Sequence, residues 1–234
     1  MDISLIIILI FSVLIFGVVG KAVKWIFKII GLMFLIGFVL SLVLGFFVYK
    51  DLSELKQNWP DSNKLVLLAN DKVYAGMITT FSGDEEPVLI ENVEDYQIAY
   101  QNKDYQTILG SNYKLFIFKL SMFEKDEEID FGDKKISQDM VINAIENDNA
   151  SKFIGESEQT EIKNGAEING MLFGLLLQSE LTKDPLFIFK QYSKGNVVIY
   201  PETITFKLIK AVPFSLIEGI AKQVISKTEE RLSQ

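Results

Sequence analysis

Neither cysteine nor histidine occurs among the 234 residues. The double absence removes zinc sites built on Cys or His, haem held by His or Cys, iron-sulfur clusters, thiol nucleophiles and the Ser-His-Asp triad. It also removes disulfides, so a domain outside the cytosol must rest on its core alone, and no redox compartment follows from the composition. Enzymatic readings then narrow to carboxylate chemistry, an oxygen-ligated Mg²⁺ or Ca²⁺ site, or a Ser-Lys pair.

Each of these meets a negative. Ser-x-x-Lys occurs at Ser53 with Lys56 and at Ser111 with Lys114, but the companion Ser-Asp-Asn and Lys-Thr-Gly elements are missing and Ser111 precedes a strand-like run. The acidic run Glu124, Asp126, Glu127, Glu128, Asp130 and Asp133 offers oxygen ligands for a hard cation. It breaks EF-hand spacing, because the sixth residue from Asp126 is Phe131 where the loop needs glycine. The run reads as a solvated connection. No catalytic residue, metal ligand or cofactor is predicted.

Charge is the second thing missing, and only locally. Ile3 to Gly20 carries none, and neither does Ile29 to Tyr49. At about 1.5 Å of rise per residue, each stretch is long enough as a helix to cross a hydrocarbon core roughly 30 Å thick. The opening Met-Asp and the lack of an Ala-x-Ala site argue against a cleaved signal peptide. Lys21, Lys24, Trp25 and Lys28 lie between or beside the stretches, as membrane-interface anchors do. The expectation is a two-pass helical hairpin over residues 1–49. By the positive-inside rule its lysine loop is cytoplasmic, which sends the C-terminal domain to the extracytoplasmic side. Gly37, Ser41 and Gly45 recur every fourth position and so share one helix face, a candidate surface for packing on the first span, a partner helix or a second protomer.

From residue 51 onward the chain holds nineteen of its twenty-three basic residues and thirty of its thirty-one acidic ones, a net charge of −11. Such a surface repels phosphate backbones, which excludes nucleic acid as an expected partner.

Residues 50–63 form a polar linker ending in the turn signal Trp59-Pro60-Asp61, with Trp59 placed to rest on headgroups or to pack against the domain. Lys64–Ala69 and Lys72–Thr80 flank Asn70-Asp71 as a hairpin, and Val88–Ile90 adds a short strand. Tyr96, Ile98 and Tyr100 alternate, with Tyr105, Thr107 and Leu109 after a turn. Period two predicts a second hairpin, a helix through Glu94 being the alternative. Lys114–Phe123 and Pro185–Tyr192 read as strands and share Leu-Phe-Ile-Phe-Lys; a strand-strand-helix duplication over 64–150 and 164–234 would leave such a pair, but one shared pentapeptide in a phenylalanine-rich chain arises more readily by chance. Val197–Tyr200 and Thr203–Ala211 are further strands on either side of Pro201.

Three helices are expected. Ser137–Asn147 has an Ile136/Val141 staple, Gly170–Leu181 follows an Asn169 cap, and Ser215–Leu232 opens on Ser215 and Glu218 as a capping box. The second of these is too short to span a bilayer and reads as buried, with Gly170 and Gly174 permitting close packing. Asn149-Ala150-Ser151 is the lone glycosylation sequon.

The sum is an α+β chain: a two-helix transmembrane hairpin, then over 64–234 a mostly antiparallel sheet with about three helices on one side. The leading functional expectation is a non-catalytic, membrane-anchored interaction or assembly module, whose partners are the lipid bilayer and another protein or a second copy. A membrane-anchored hydrolase or transferase and a subunit of an oligomeric channel or transport complex are the alternatives.

Overall fold

A computed structural model describes residues 3–59, 61–80, 86–123, 127–131, 134–150, 164–215 and 219. The chain divides into two compact units, Met1–Lys50 and Asp51–Gln234.

The first unit is helical. Helix α1 is assigned over Ile3–Asn58, so no turn interrupts the backbone between Lys21 and Lys28, where the sequence predicts the tip of a hairpin. The local reason is plain. Lys21–Lys28 contains neither proline nor glycine, the two residues that most strongly break a helix. Lys28–Leu55 is a helix apolar and long enough to cross a membrane, and none of its apolar window is buried.

The second unit is built on a five-stranded mixed sheet whose order from edge to edge is β3 (Val88–Leu89), β2 (Val73–Thr79), β1 (Lys64–Ala69), β4 (Lys114–Lys119) and β7 (Val197–Tyr200). Its centre is β1 (Lys64–Ala69), an unbroken apolar run after Lys64, with all six residues buried. A strand that reads apolar at every position belongs in a sheet covered on both faces. β2 (Val73–Thr79) returns antiparallel through the predicted Asn70-Asp71 turn, pairing Leu65 with Ile78 and Leu68 with Ala75 before the register slips at Ala69. β3 (Val88–Leu89) flanks β2. On the other side β4 (Lys114–Lys119) runs parallel to β1, Lys64 opposite Lys114 and Ala69 opposite Lys119, and β7 (Val197–Tyr200) closes that edge antiparallel.

Helices cover both faces of this sheet, not one. Between β3 and β4 come α2 (Glu94–Gln101) and α3 (Tyr105–Leu109), which bury Ala99, Ile108 and Leu109 against Leu65, Leu67, Leu115 and Ile117. The opposite face, Val66, Leu68, Phe116 and Phe118, receives α4 (Gln138–Glu146) and α5 (Gly165–Lys183), whose Ile142, Leu172 and Phe173 are buried in the same core as Phe206. A separate hairpin, β5 (Glu128–Phe131) with β6 (Lys134–Ser137), precedes α4.

Four expectations are corrected. Tyr96–Leu109 is not a hairpin: Val93, Tyr96, Ala99 and Tyr100 face the core at helical spacing while Ile98 points outward, and Asp104 caps α3 by accepting from the Thr107 amide at 3.2 Å. Pro185–Tyr192 is not a strand but contains α6 (Phe187–Ser193), started where Asp184 accepts from the Leu186 amide at 3.0 Å and stopped at Gly195, whose φ is +77°. Leu-Phe-Ile-Phe-Lys is therefore strand at 115–119 and mainly helix at 186–190, so the two copies do not occupy equivalent places. Thr203–Ala211 forms α7 (Ile204–Ala211), set going after Pro201 ends β7. Asn169 does not cap its helix, which begins a turn earlier with a full capping box between Asn164 and Glu167. The predicted hairpin 64–80, the strand at 88–89, β7 and α4 stand where expected, β4 starts where expected but ends at Lys119, where Leu120–Met122 tightens into a 3-10 turn, and Ser215–Leu232 lies outside the described residues apart from Ser215 and Gly219.

At Gly170 helix α5 lies tight against the sheet. A β-carbon there would lie 3.1 Å from the Gly76 carbonyl oxygen and 3.2 Å from Leu89 Cδ2, whereas one at Gly174 meets only Met77 Sδ at 3.9 Å. Gly174→Ala is expected to gain about 0.5–1 kcal/mol of helix propensity. Gly170→Ala must spend that gain on overlap with a backbone atom and should fall below wild type. Urea unfolding of the two variants side by side tests the difference in sign.

Candidate functional site

The parallel pair gives the sheet two chemically different ends. At the carboxyl end of β1 the chain turns through Asn70–Lys72 into β2, and beside that turn a polar cleft of about 800 Å³ opens between α2 and the first turns of α5. Ligands of open α/β sheets commonly sit beyond the carboxyl ends of parallel strands, and this cleft holds the corresponding place for β1.

One wall is the α2 face carrying Glu94, Gln97 and Ile98, at spacings of three and four residues. The facing wall is Gly165, Ala166 and Asn169 of α5, again one helical face, with Asp148 beside them. Gln97 is held by the Val73 amide, which donates to its Oε1 at 2.9 Å. Asn164 fixes the entrance: its Oδ1 accepts from the Glu167 amide at 3.0 Å, and its Nδ2 donates to the Glu91 carbonyl at 3.0 Å, tying α5 to the segment before α2. Asn169 is 5% exposed and donates from Nδ2 to the Tyr74 carbonyl at 3.3 Å, while its buried Oδ1 has no partner among the described residues. Lys72 is the one cation in the described lining, against Glu91, Glu94 and Asp148. The Lys72 Nζ lies 5.1 Å from the centre of the Tyr74 ring.

Tyr74 forms part of the floor. Its hydroxyl donates to Asp71 Oδ1 at 2.6 Å, and burial, seconded by that carboxylate, raises the phenol to about 12. The same hydrogen bond holds the Asp71 carboxyl below its ordinary range. Asp104 and Glu202 are also held low, the first mainly by the Thr107 hydroxyl and the second mainly by Lys210. These carboxylates serve as ionised acceptors at neutral pH.

At the amino end of the parallel pair stand two buried lysines in register, Lys64 at 0% and Lys114 at 2% exposure. Lys64 donates to the carbonyls of Trp59 and Thr80, and Lys114 to that of Pro201 at 2.8 Å. Their ammonium groups also face rings, Lys64 that of Trp59 at 5.1 Å and Lys114 that of Phe206 at 5.4 Å. Burial lowers both lysines from their ordinary value, opposed by Asp61 at the first and by Asp51 and Glu54 at the second. Neither lines the polar cleft. Lys64 ties the start of β1 to the Trp59 and Thr80 carbonyls and Lys114 ties the start of β4 to the residue after β7, while Asp51 accepts from the Thr205 amide at 2.9 Å and so joins the helical residues after Lys50 to α7.

A second hollow, apolar and about 750 Å³, runs along α5 beside β2 and β3 past Met77, Leu89, Met171, Leu175 and Leu181.

The residues singled out from sequence lie apart from these features. Lys28 is exposed at the first residue of the apolar helix, while the side chains of Lys21, Lys24 and Trp25 lie outside the described residues. Gly37 and Gly45 have open space where a β-carbon would stand, and Ser41 donates back to the Gly37 carbonyl at 2.8 Å. Ser111 is exposed while its supposed partner Lys114 is buried. In the acidic run Glu127 pairs with Lys183 and Glu128–Phe131 is β5; Glu124, Asp126 and Asp133 lie outside the described residues. Trp59 packs edge-on against Phe116 at 5.8 Å, in the core of the domain. Asn149 is exposed, and Ser151 of its sequon is not among the described residues. The cleft residues Glu94, Gln97 and Asp148 form no motif; the Asn164-x-x-Glu167 box was the one legible signal near them.

No protein-family model, curated protein or solved structure matches this chain.

The raised phenol of Tyr74 gives the cleft floor a pH signature. A group whose folded pKa exceeds its unfolded value contributes stability below the unfolded value and loses it as pH rises through the folded one. Tyr74→Phe is therefore expected to be less stable than wild type below pH 10, with the gap closing towards pH 12. Urea midpoints measured across that range check it; a gap that stays constant contradicts it.

Proposed function

We propose that this chain is a non-catalytic, membrane-anchored interaction module that holds an acidic α+β domain at a bilayer and offers its polar cleft to a protein partner. The observation that carries the anchor is the apolar helix itself. Between Ile29 and Tyr49, Phe34 is 76% exposed, Met33 69% and Phe38 62%, within a helix whose apolar window is wholly uncovered. Each such side chain left in water forgoes about 1.5–3 kcal/mol, and a whole folded domain is stable by only about 5–15 kcal/mol. Lipid, or lipid together with other helices, is the environment that resolves this.

The topology belongs to the same proposal. Fifty-six helical residues measure roughly 84 Å, far beyond one hydrocarbon core of roughly 30 Å. Two crossings require this helix to break between Lys21 and Lys28 once it is in lipid; they would then accommodate both apolar stretches and keep Lys21, Lys24 and Lys28, with Trp25, at one interface. The lysine loop then lies on the cytoplasmic side and residues 51–234 on the other. The Gly37, Ser41 and Gly45 face is the surface on which the returning span, a partner helix or a second copy packs.

The non-catalytic reading is supported by how the distinctive polar groups are engaged: the two buried lysines hold backbone carbonyls, and the perturbed carboxylates accept hydrogen bonds within the fold. Two measurements test the proposal. Carbonate extraction of membranes should leave the chain in the pellet, and release into the supernatant would reject the anchor. Purification from native membranes in mild detergent should yield a stoichiometric second component, or a homo-oligomer, whose association survives Ser111→Ala. A monomer with no associated protein would reject the module.

A further inference from the structure

The side chain that caps helix α7 lies outside it. Three N–H groups at the start of the helix, those of Ile204, Thr205 and Phe206, have no helical carbonyl to bond, because the first bond of the ladder runs from the Lys207 amide to the Thr203 carbonyl at 3.0 Å. Thr203 holds the N-cap position with extended backbone, yet its side chain makes no capping bond. The neighbouring Glu202 is engaged elsewhere, by the Tyr192 hydroxyl and the Lys210 ammonium. The acceptor comes instead from Asp51, 154 residues away in sequence, whose Oδ2 takes the Thr205 amide at 2.9 Å. Lys114, held by the Pro201 carbonyl and facing the Phe206 ring, supplies the countercharge.

The rest of α7 is held by little. Eight residues are too few to stay helical alone in water, and of these Phe206 is the buried one, packed on the Tyr192 and Phe189 rings at 5.7 and 6.3 Å, while Leu208 is 38% exposed. Such an element belongs to the low end of a domain's local stability, where one cap decides whether it is formed. Asp51, for its part, sits in the helix that carries the apolar segment, since α1 runs unbroken to Asn58. A spanning helix answers a change in bilayer thickness by tilting. Resting on the membrane-anchor reading, we infer that Asp51 is a latch: it caps α7 from the helix that enters the domain, and a shift of that helix in the bilayer withdraws the cap and releases α7. Release also removes the Phe206 ring from above Lys114.

Hydrogen exchange of the full chain in phosphatidylcholine vesicles tests the latch, read on the α7 amides against those of Leu65–Leu68. Asp51→Ala should speed α7 exchange about fivefold or more, the usual effect of losing an N-cap, and leave the strand amides unchanged. Asp51→Asn keeps an acceptor and should stay near wild type. Thr203→Asp placed in the Asp51→Ala chain supplies a local cap and should restore slow exchange. Between short-chain and long-chain lipids, which impose different tilts on a spanning helix, α7 exchange should change about twofold or more in wild type and stay constant in the chain carrying both Asp51→Ala and Thr203→Asp. Exchange of α7 that ignores Asp51→Ala would overturn the inference. So would a cap whose loss matters but whose α7 amides exchange identically in the two lipids, since Asp51 would then be a structural contact alone. A chain that does not insert into vesicles rejects the anchor and the relay with it, while the Asp51 variants compared in detergent still show whether the cap exists.

Discussion

The pairing of β1 with β4 is what the second unit depends on. The strands run parallel in unbroken register from Lys64 opposite Lys114 to Ala69 opposite Lys119, and their apolar side chains are buried above and below. A parallel pair cannot be joined by a tight turn; the chain must cross over one face before the second strand begins. Here α2 and α3 supply that crossing and become the cover of one face, while α4 and α5 arrive later to cover the other. Three-layer order follows from this one pairing. The antiparallel neighbours β2, β3 and β7 extend the sheet without altering its logic.

Parallel strands also give the sheet polarity. Their amino ends carry Lys64 and Lys114, two ammonium groups held by backbone carbonyls and aromatic rings close to Asp51 and Trp59, the residues that enter the domain. About 20 Å away along six residues of strand, the carboxyl end opens into the cleft. Entry and cleft thus sit at opposite ends of one rigid element.

How much of this was legible in the sequence depended on where the decisive contact lay. β1, β2 and their turn were legible because an apolar run, a polar pair and a second run is local information. So was α4, through its Ile136/Val141 staple. Leu-Phe-Ile-Phe-Lys was not, since the same five residues extend beside β1 in one place and coil around Phe187 in the other, a choice made by neighbours far along the chain. Tyr96, Ile98 and Tyr100 mimicked a strand because an outward Ile98 fell between two half-buried tyrosines. The cleft was illegible for the same reason: Lys72, Glu94, Asp148 and Asn169 are brought together by topology alone, and Asn169 read as a helix cap when the true cap lay five residues before it.

Native-state hydrogen exchange of the full chain in detergent tests the central claim most directly. Central strands of a cooperative domain exchange only through global unfolding. The account predicts that the slowest amides of residues 51–234 are those of Leu65–Leu68 and Leu115–Phe118, exchanging together with the free energy of global unfolding, with β5 and β6 exchanging faster. Slowest exchange in the β5–β6 hairpin, or β1 and β4 opening at different free energies, would show that the parallel pair is not the element on which the domain rests.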